Sequence, residues 1–277
     1  CFHIRIAPFH RSKRVFLAPL YYAQRIFSII RPGFFVNSCN FLPEPPILCR
    51  KMWYNTLRIH GPNTNEGGFP MEQLTLRWHG HACFALTCQD FTVVFDPYED
   101  NYVPGFPPLH LSADLVLCSH QHNDHNAAGI VSLRTGHDNP FHITEIPTFH
   151  DPEGGKLRGT NTIHLLEVGK LRVAHFGDLG CPLTPLQRAD LLHLDVAMVP
   201  VGGYYTIGPE EAKALIDDLQ PKVVIPMHYR SDAFGFDVLA PVEDFLELDS
   251  HWMRYETDTL EIHENMRHSV AVLTYGG

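Results

Sequence analysis

The chain is short of covalent cross-links. Its 7 cysteines include no Cys-x-x-Cys pair and no zinc-finger spacing. Cys83, Cys88, Cys118 and Cys181 therefore read as reduced thiols of a cytoplasmic protein, not as a disulfide frame. Long apolar runs are missing too. Residues 15–30 follow the basic run Arg11-Ser12-Lys13-Arg14 in the manner of a signal peptide, but Pro19 and Arg25 interrupt them and no small-residue cleavage site follows. The run is also too short and too charged to span a bilayer, so neither export nor membrane anchoring is expected. No repeat at solenoid spacing and no low-complexity tract occurs. Positive charge is scarce over residues 71–277, which hold 12 Lys+Arg against 29 Asp+Glu, a net charge of −17. Nucleic-acid binding relies on basic surface and is disfavoured.

Aspartate is absent from residues 1–70. That stretch has 9 Lys+Arg, only Glu44 and Glu66 as acids, and 8 of the 22 prolines. Such asymmetry marks two parts of different character. The chain opens on Cys1, and Met71 is the start that directly precedes a strand-like run. Codons for Glu66-Gly67-Gly68 can spell a purine-rich ribosome-binding sequence just ahead of it. We expect 1–70 to be a basic, Pro-rich extension, upstream sequence translated in frame, and 71–277 to be the natural domain.

Histidine, by contrast, is plentiful. The 19 His outnumber either Lys or Arg alone, which raises the question of metal ligands. From Met71 the pattern alternates strands and helices. Leu74–Trp78 alternates apolar and polar residues; 82–87, 91–95, 115–118, 196–200 and 223–226 are short apolar runs. Residues 162–167 and 171–175 flank the hairpin signal Val168-Gly169-Lys170, and 269–274 closes a sheet. Helices are predicted over 185–194, 209–219 and 241–248. The second is the clearest: Pro209, Glu210 and Glu211 occupy its first turn, and Ala212, Leu215, Ile216 and Leu219 form its apolar stripe. The order is mixed α/β, antiparallel first and alternating with helices later.

The chemistry lies where those strands end. Residues 115–118 run into Ser119-His120-Gln121-His122-Asn123-Asp124-His125. In an extended segment His120 and His122 point the same way. A turn at Asn123 then brings Asp124 and His125 to the other side of the same cavity, so one loop can serve two metals. Imidazole and carboxylate suit zinc and neighbouring divalent ions. Four such groups after a buried strand have no ready structural explanation. His175 lies within a strand and reads instead as a satisfied core residue.

This loop resembles the HxHxDH signature of the metallo-β-lactamase fold superfamily. Phe95-Asp96-Pro97, Phe149-His150-Asp151, Phe176-Gly177-Asp178 and Pro226-Met227-His228 resemble the family's other elements, in the same order. Gly80-His81-Ala82, Gly154-Gly155 with Arg158-Gly159, and Gly202-Gly203-Tyr204-Tyr205 are similar to the branch of ascorbate-6-phosphate lactonase-like proteins and uncharacterised zinc-dependent hydrolases. The resemblance covers essentially all of 71–277 and none of 1–70. It implies a four-layer αβ/βα sandwich with two divalent cations at one edge, zinc first, with manganese, iron or nickel as alternatives. His120, His122 and His150 would hold one cation, and Asp124, His125 and His228 the other, with Asp178 bridging. It further implies a metal-bound hydroxide that attacks a small ester, lactone or phosphoester, with Asp124 orienting it and carrying its proton. Asp96 would orient a ligand His, while His81, Tyr204 and Tyr229 are pocket or supporting candidates. The expected partner is a small-molecule substrate, and the branch implies a homo-oligomer. The alternatives are a nuclease of the same fold, a redox di-iron protein and a non-catalytic metal-containing ligand-binding protein. A lactam-degrading enzyme is not expected without an export signal.

Overall fold

The computed structural model describes residues 73–276. The expected extension 1–70 and the start at Met71 lie outside them. In chain order the strands are β1 (Leu74–Gly80), β2 (Cys83–Cys88), β3 (Phe91–Phe95), β4 (Ser112–Ala113), β5 (Leu115–Leu117), β6 (Ser132–Leu133) and β7 (His142–Phe149). There follow β8 (Thr160–Val168), β9 (Leu171–His175), β10 (Val196–Pro200), β11 (Val223–Met227), β12 (Trp252–Arg254), β13 (Thr259–Ile262) and β14 (Ser269–Val272). The α-helices are α1 (Pro185–Asp190), α2 (Pro209–Leu219) and α3 (Val242–Leu246). One sheet has the order β13-β1-β2-β3-β5 and the other β12-β14-β11-β10-β9-β8-β7, with a small β4-β6 ladder beside them.

The burial pattern explains the layering. In β1, Leu74, Leu76 and Trp78 are buried while Arg77 faces water, the period-two signature of a strand with one face in the core. β10 and β11 are buried at every residue, as central parallel strands covered on both faces must be. One continuous apolar core joins residues of both sheets. His175 helps to close it: its Nε2 donates to the Ala82 carbonyl at 2.9 Å, Nδ1 accepts from Gly177 N–H, and the ring stacks on Phe95 at 5.1 Å. The α/β sandwich implied by the resemblance is the observed architecture.

Helix boundaries follow caps. α2 starts at Pro209, Glu211 accepts from the Gly208 N–H at 2.7 Å, and Gln220 ends the helix in a left-handed conformation. α1 stops at Asp190, four residues before the sequence-predicted end. Leu191 and Leu194 are buried nonetheless, Leu191 in a turn and Leu194 in the irregular backbone after it. β7, the strand that leads into His150, carries Pro147. It forms an edge of the larger sheet, the place where a missing N–H is tolerated. No helix among the described residues is long and apolar enough to cross a membrane.

Candidate metal centre

Strand direction gathers the site. β1 and β3 are both antiparallel to β2, and β5 is parallel to β3, so all three run the same way. In the larger sheet β7 and β9 are both antiparallel to β8, and β9, β10 and β11 are parallel. The loops after their C-terminal ends carry His81 (β1), Asp96 (β3), His120 to His125 (β5), His150 (β7), Asp178 (β9) and His228 (β11).

These residues meet as three overlapping groups. His120, His122 and His150 place ligand atoms within 4.8 Å of one another, and so do His81, Asp124, His125 and His228. His120, His125 and Asp178 form the third group and connect the other two. Asp178 is the hub: Oδ2 lies 3.1 Å from His150 Nε2, 3.2 Å from His228 Nε2 and 3.8 Å from His120 Nε2, while Oδ1 is 3.2 Å from His125 Nε2.

The donor set fits divalent cations. Buried polar atoms are normally hydrogen-bonded. Here His120 Nε2, His125 Nε2, Asp178 Oδ1 and both ring nitrogens of His81 and His228 are buried without a hydrogen-bond partner among the described residues. One atom of each residue lies within 4.8 Å of its neighbours' in these groups, as ligand atoms do.

Asp96 orients ligands in both groups. Its Oδ2 accepts from His125 Nδ1 at 2.8 Å and from Ser119 Oγ at 2.6 Å, and its Oδ1 accepts from Ser119 N–H at 2.6 Å. With its proton committed to Asp96, Ser119 Oγ accepts from His120 Nδ1 at 2.9 Å. These hydrogen bonds occupy Nδ1 of each ring and turn Nε2 toward the centre, the orientation a metal ligand needs. Burial opposes ionisation of Asp96, but His175, His125 and the His125 hydrogen bond outweigh it and hold the carboxyl at about 2. Burial also works against a charged Asp178, whose pKa His125 and His228 nevertheless keep well below the usual range. His120 is pushed down to about 3 and His81 to about 4, chiefly by burial, so both rings are neutral at neutral pH. His125 is the exception: Asp178, Asp124 and Asp96 overcome burial and raise it.

Gly177 makes the turn into Asp178 feasible. Its φ is +54°, and a Cβ there would lie 2.4 Å from both Asn161 Oδ1 and Ser119 Cβ. Asn161 Oδ1 receives the Asp178 N–H at 2.9 Å, so a side chain at 177 displaces both supports. Gly177→Ala is expected to destabilise the fold by about 2–4 kcal/mol, from left-handed strain plus overpacking, and to lower metal content. Thermal unfolding and elemental analysis check it.

A cavity of about 370 Å³ opens over the cluster and is lined by His122, Asp124, Arg158, Tyr205 and Phe236 among others. All seven sequence-assigned ligands fall in the cluster, with His81 beside them. The tyrosines divide. Tyr204 is exposed at the rim of a neighbouring cavity. Tyr229 is buried against Trp78 and Phe234, each at 5.9 Å between centroids, away from the cluster. Ser119 and Asn161 were not anticipated; nothing in their sequence context sets them apart from ordinary strand-end polar residues.

Two facing sheets with a His/Asp cluster at the ends of their strands define the metallo-β-lactamase class of metal-dependent hydrolase. The profile of the beta-lactamase superfamily domain matches residues 75–228, and the chain belongs to that superfamily. A solved structure from Thermotoga maritima, described as a putative Zn-dependent hydrolase of the metallo-beta-lactamase superfamily, is 38% identical; the match covers 72% of this chain and 98% of that one, with a TM-score of 0.58. A UPF0173 metal-dependent hydrolase of Methanoregula boonei is 30% identical over 58% of this chain and 87% of its own. One from Natranaerobius thermophilus is 27% identical over 57% of this chain and 84% of its own.

Proposed function

We propose that this protein is a binuclear metal-dependent hydrolase of a small ester, lactone or phosphoester. The observation that carries the reading is Asp178, whose two oxygens reach ring nitrogens of both ligand groups. His120, His122 and His150 would hold one cation; Asp124, His125 and His228 the other; Asp178 would touch both. Two divalent cations there, with zinc as the first candidate, would acidify water near neutral pH and polarise the scissile carbonyl or phosphoryl oxygen.

The chain's own residues do the rest. Asp124 stands on the cavity wall with Oδ2 3.6 Å from His125 Nε2 and 3.4 Å from His81 Nε2. Burial disfavours its charge, yet His125 and His81 keep it ionised. It can therefore take a proton from attacking water and hand it to the leaving group. His122 is the exposed member of the cluster and faces incoming substrate. Elemental mass spectrometry is expected to find two cations per chain. Chelation should abolish turnover of the best substrate in a screen of esters, lactones and phosphoesters, and re-addition should restore it. One cation at saturation, or turnover indifferent to chelation, overturns the proposal.

His81 belongs in the same reading as a further ligand. Its ring lies 4.1 Å from that of His228 between centroids, and neither nitrogen has a hydrogen-bond partner among the described residues. The backbone holds it in place, for its carbonyl accepts from Trp78 Nε1 at 3.0 Å. His81→Ala is expected to weaken one of the two cations about 10–100-fold in chelator competition, leaving the other unchanged. Unchanged affinity for both would remove His81 from the ligand set.

A further inference from the structure

We infer that the substrate is a carboxylic ester or lactone with an apolar arm, that the arm lies in a second cavity beside the metal centre, and that Arg158 pairs with its acyl oxygens as they gain negative charge. This rests on the hydrolase reading above. The second cavity measures about 580 Å³, within the range of small-molecule sites. Arg158 and Tyr205 line both it and the cavity over the cluster, so the two spaces adjoin at that pair.

The walls are apolar: Leu157, Leu179, Leu183, Ile207 and Leu215 contribute to them. Leu215 belongs to the apolar stripe of α2, yet it is only half-buried because it borders this space. Leu157 is 66% exposed and Tyr204 63% exposed at its rim, an apolar surface the fold leaves in water. The other charges in the wall are already matched. Arg188 pairs with Asp218, and Glu211 accepts from the Gly208 N–H that opens α2.

Arg158 differs. Among the described residues it has no carboxylate partner; it donates one hydrogen bond, to the Tyr204 carbonyl at 3.0 Å, and its guanidinium lies 5.7 Å from the Tyr205 ring centroid. Its loop is fixed. The carboxylate of Asp151, next to the ligand His150, accepts the backbone N–H groups of Glu153, Gly155, Leu157 and Arg158 at 2.8–3.1 Å. A cation without a counter-ion, held on a pinned loop between a ligand cluster and an apolar cavity, is prepared for an acyl group carrying negative charge. In the reaction the acyl carbon–oxygen bond breaks and the water oxygen bonds to the acyl carbon. One water proton ends on the alcohol, and the other is released as the carboxylate forms.

The test uses the metal-loaded full chain and p-nitrophenyl esters from acetate to octanoate. We expect kcat/KM to rise about fourfold per added methylene, the effect of burying each one. Ala214→Trp, which fills the cavity, should flatten that dependence, and Arg158→Gln should weaken octanoate binding about tenfold in calorimetry. Hydrolysis that is independent of chain length overturns the arm assignment while leaving the hydrolase reading intact. If no ester is hydrolysed, the ester assignment is overturned while the hydrolase reading still stands on its lactone and phosphoester screen, and titration of octanoate against acetate decides the cavity. Octanoate binding that is tighter than acetate and lost in Ala214→Trp supports it, and equal binding overturns it.

Discussion

Asp178→Ala is expected to lower bound metal, from the proposed two cations per chain to one or none, and to cut turnover on the order of a thousandfold. The size of the effect follows from position. No other described carboxylate has ring nitrogens of His120, His125, His150 and His228 all within 4 Å. Its loss removes the one described carboxylate whose oxygens reach ring nitrogens of both groups. Asp178→Asn keeps the shape but not the charge, so it separates electrostatics from packing; the same loss is expected. Elemental analysis beside steady-state kinetics checks both variants. Added metal at a thousand times its dissociation constant should stabilise the parent protein by about 4 kcal/mol and these variants far less. Full metal content in Asp178→Ala would contradict the bridging role.

The second large effect is at Asp96, which touches no substrate. Asp96→Ala leaves the buried Ser119 N–H and the raised His125 without an acceptor, and is expected to destabilise the fold by about 3–5 kcal/mol. It also frees the rings of His125 and His120 to rotate and change tautomer, so affinity for both cations should fall about 10–100-fold. Asp96→Asn is the informative partner. An amide can still accept from Ser119 N–H, but its NH₂ cannot accept from His125, so the fold should survive better than the metal site. Denaturant unfolding beside chelator competition would show that split, and equal losses in the two measurements would reject it. In the metal-free protein the low pKa of Asp96 also has a pH signature. Because the folded value lies below the ordinary 3.8, its contribution to stability is complete above that value and is lost as the pH falls through about 2.

Local patterns were the legible ones. β3, β9, β10 and α2 begin and end where apolar periodicity, turn residues and caps put them. β13 was not, since it is set by pairing with β1 at the far end of the domain, and neither was β12, three exposed residues set by pairing with β14. Tyr229 shows the limit of reading by neighbourhood. It follows His228 directly, but β11 ends at Met227 and His228 turns in a left-handed conformation (φ +54°), so His228 enters the cluster and Tyr229 joins Trp78 and Phe234. Tyr204, left-handed at φ +57° in its turn, stands at the rim of the second cavity, while Tyr205 reaches both cavities.

The sequence by itself determined the chemistry of this protein. Imidazoles and carboxylates stand directly after short apolar strands, and the His120–His125 loop concentrates four ligand atoms within six residues. That much is local, because strand pattern and loop spacing depend on near neighbours. Only the tertiary structure decided which of these side chains meet in one cluster, that Asp96 holds His125 directly and His120 through Ser119, that His81 lies against His228, and that Arg158 stands between the cluster and an apolar cavity. Those relations join residues far apart in the chain. They exist only once two sheets, buried face to face to remove their apolar sides from water, bring the ends of their parallel-running strands to one edge.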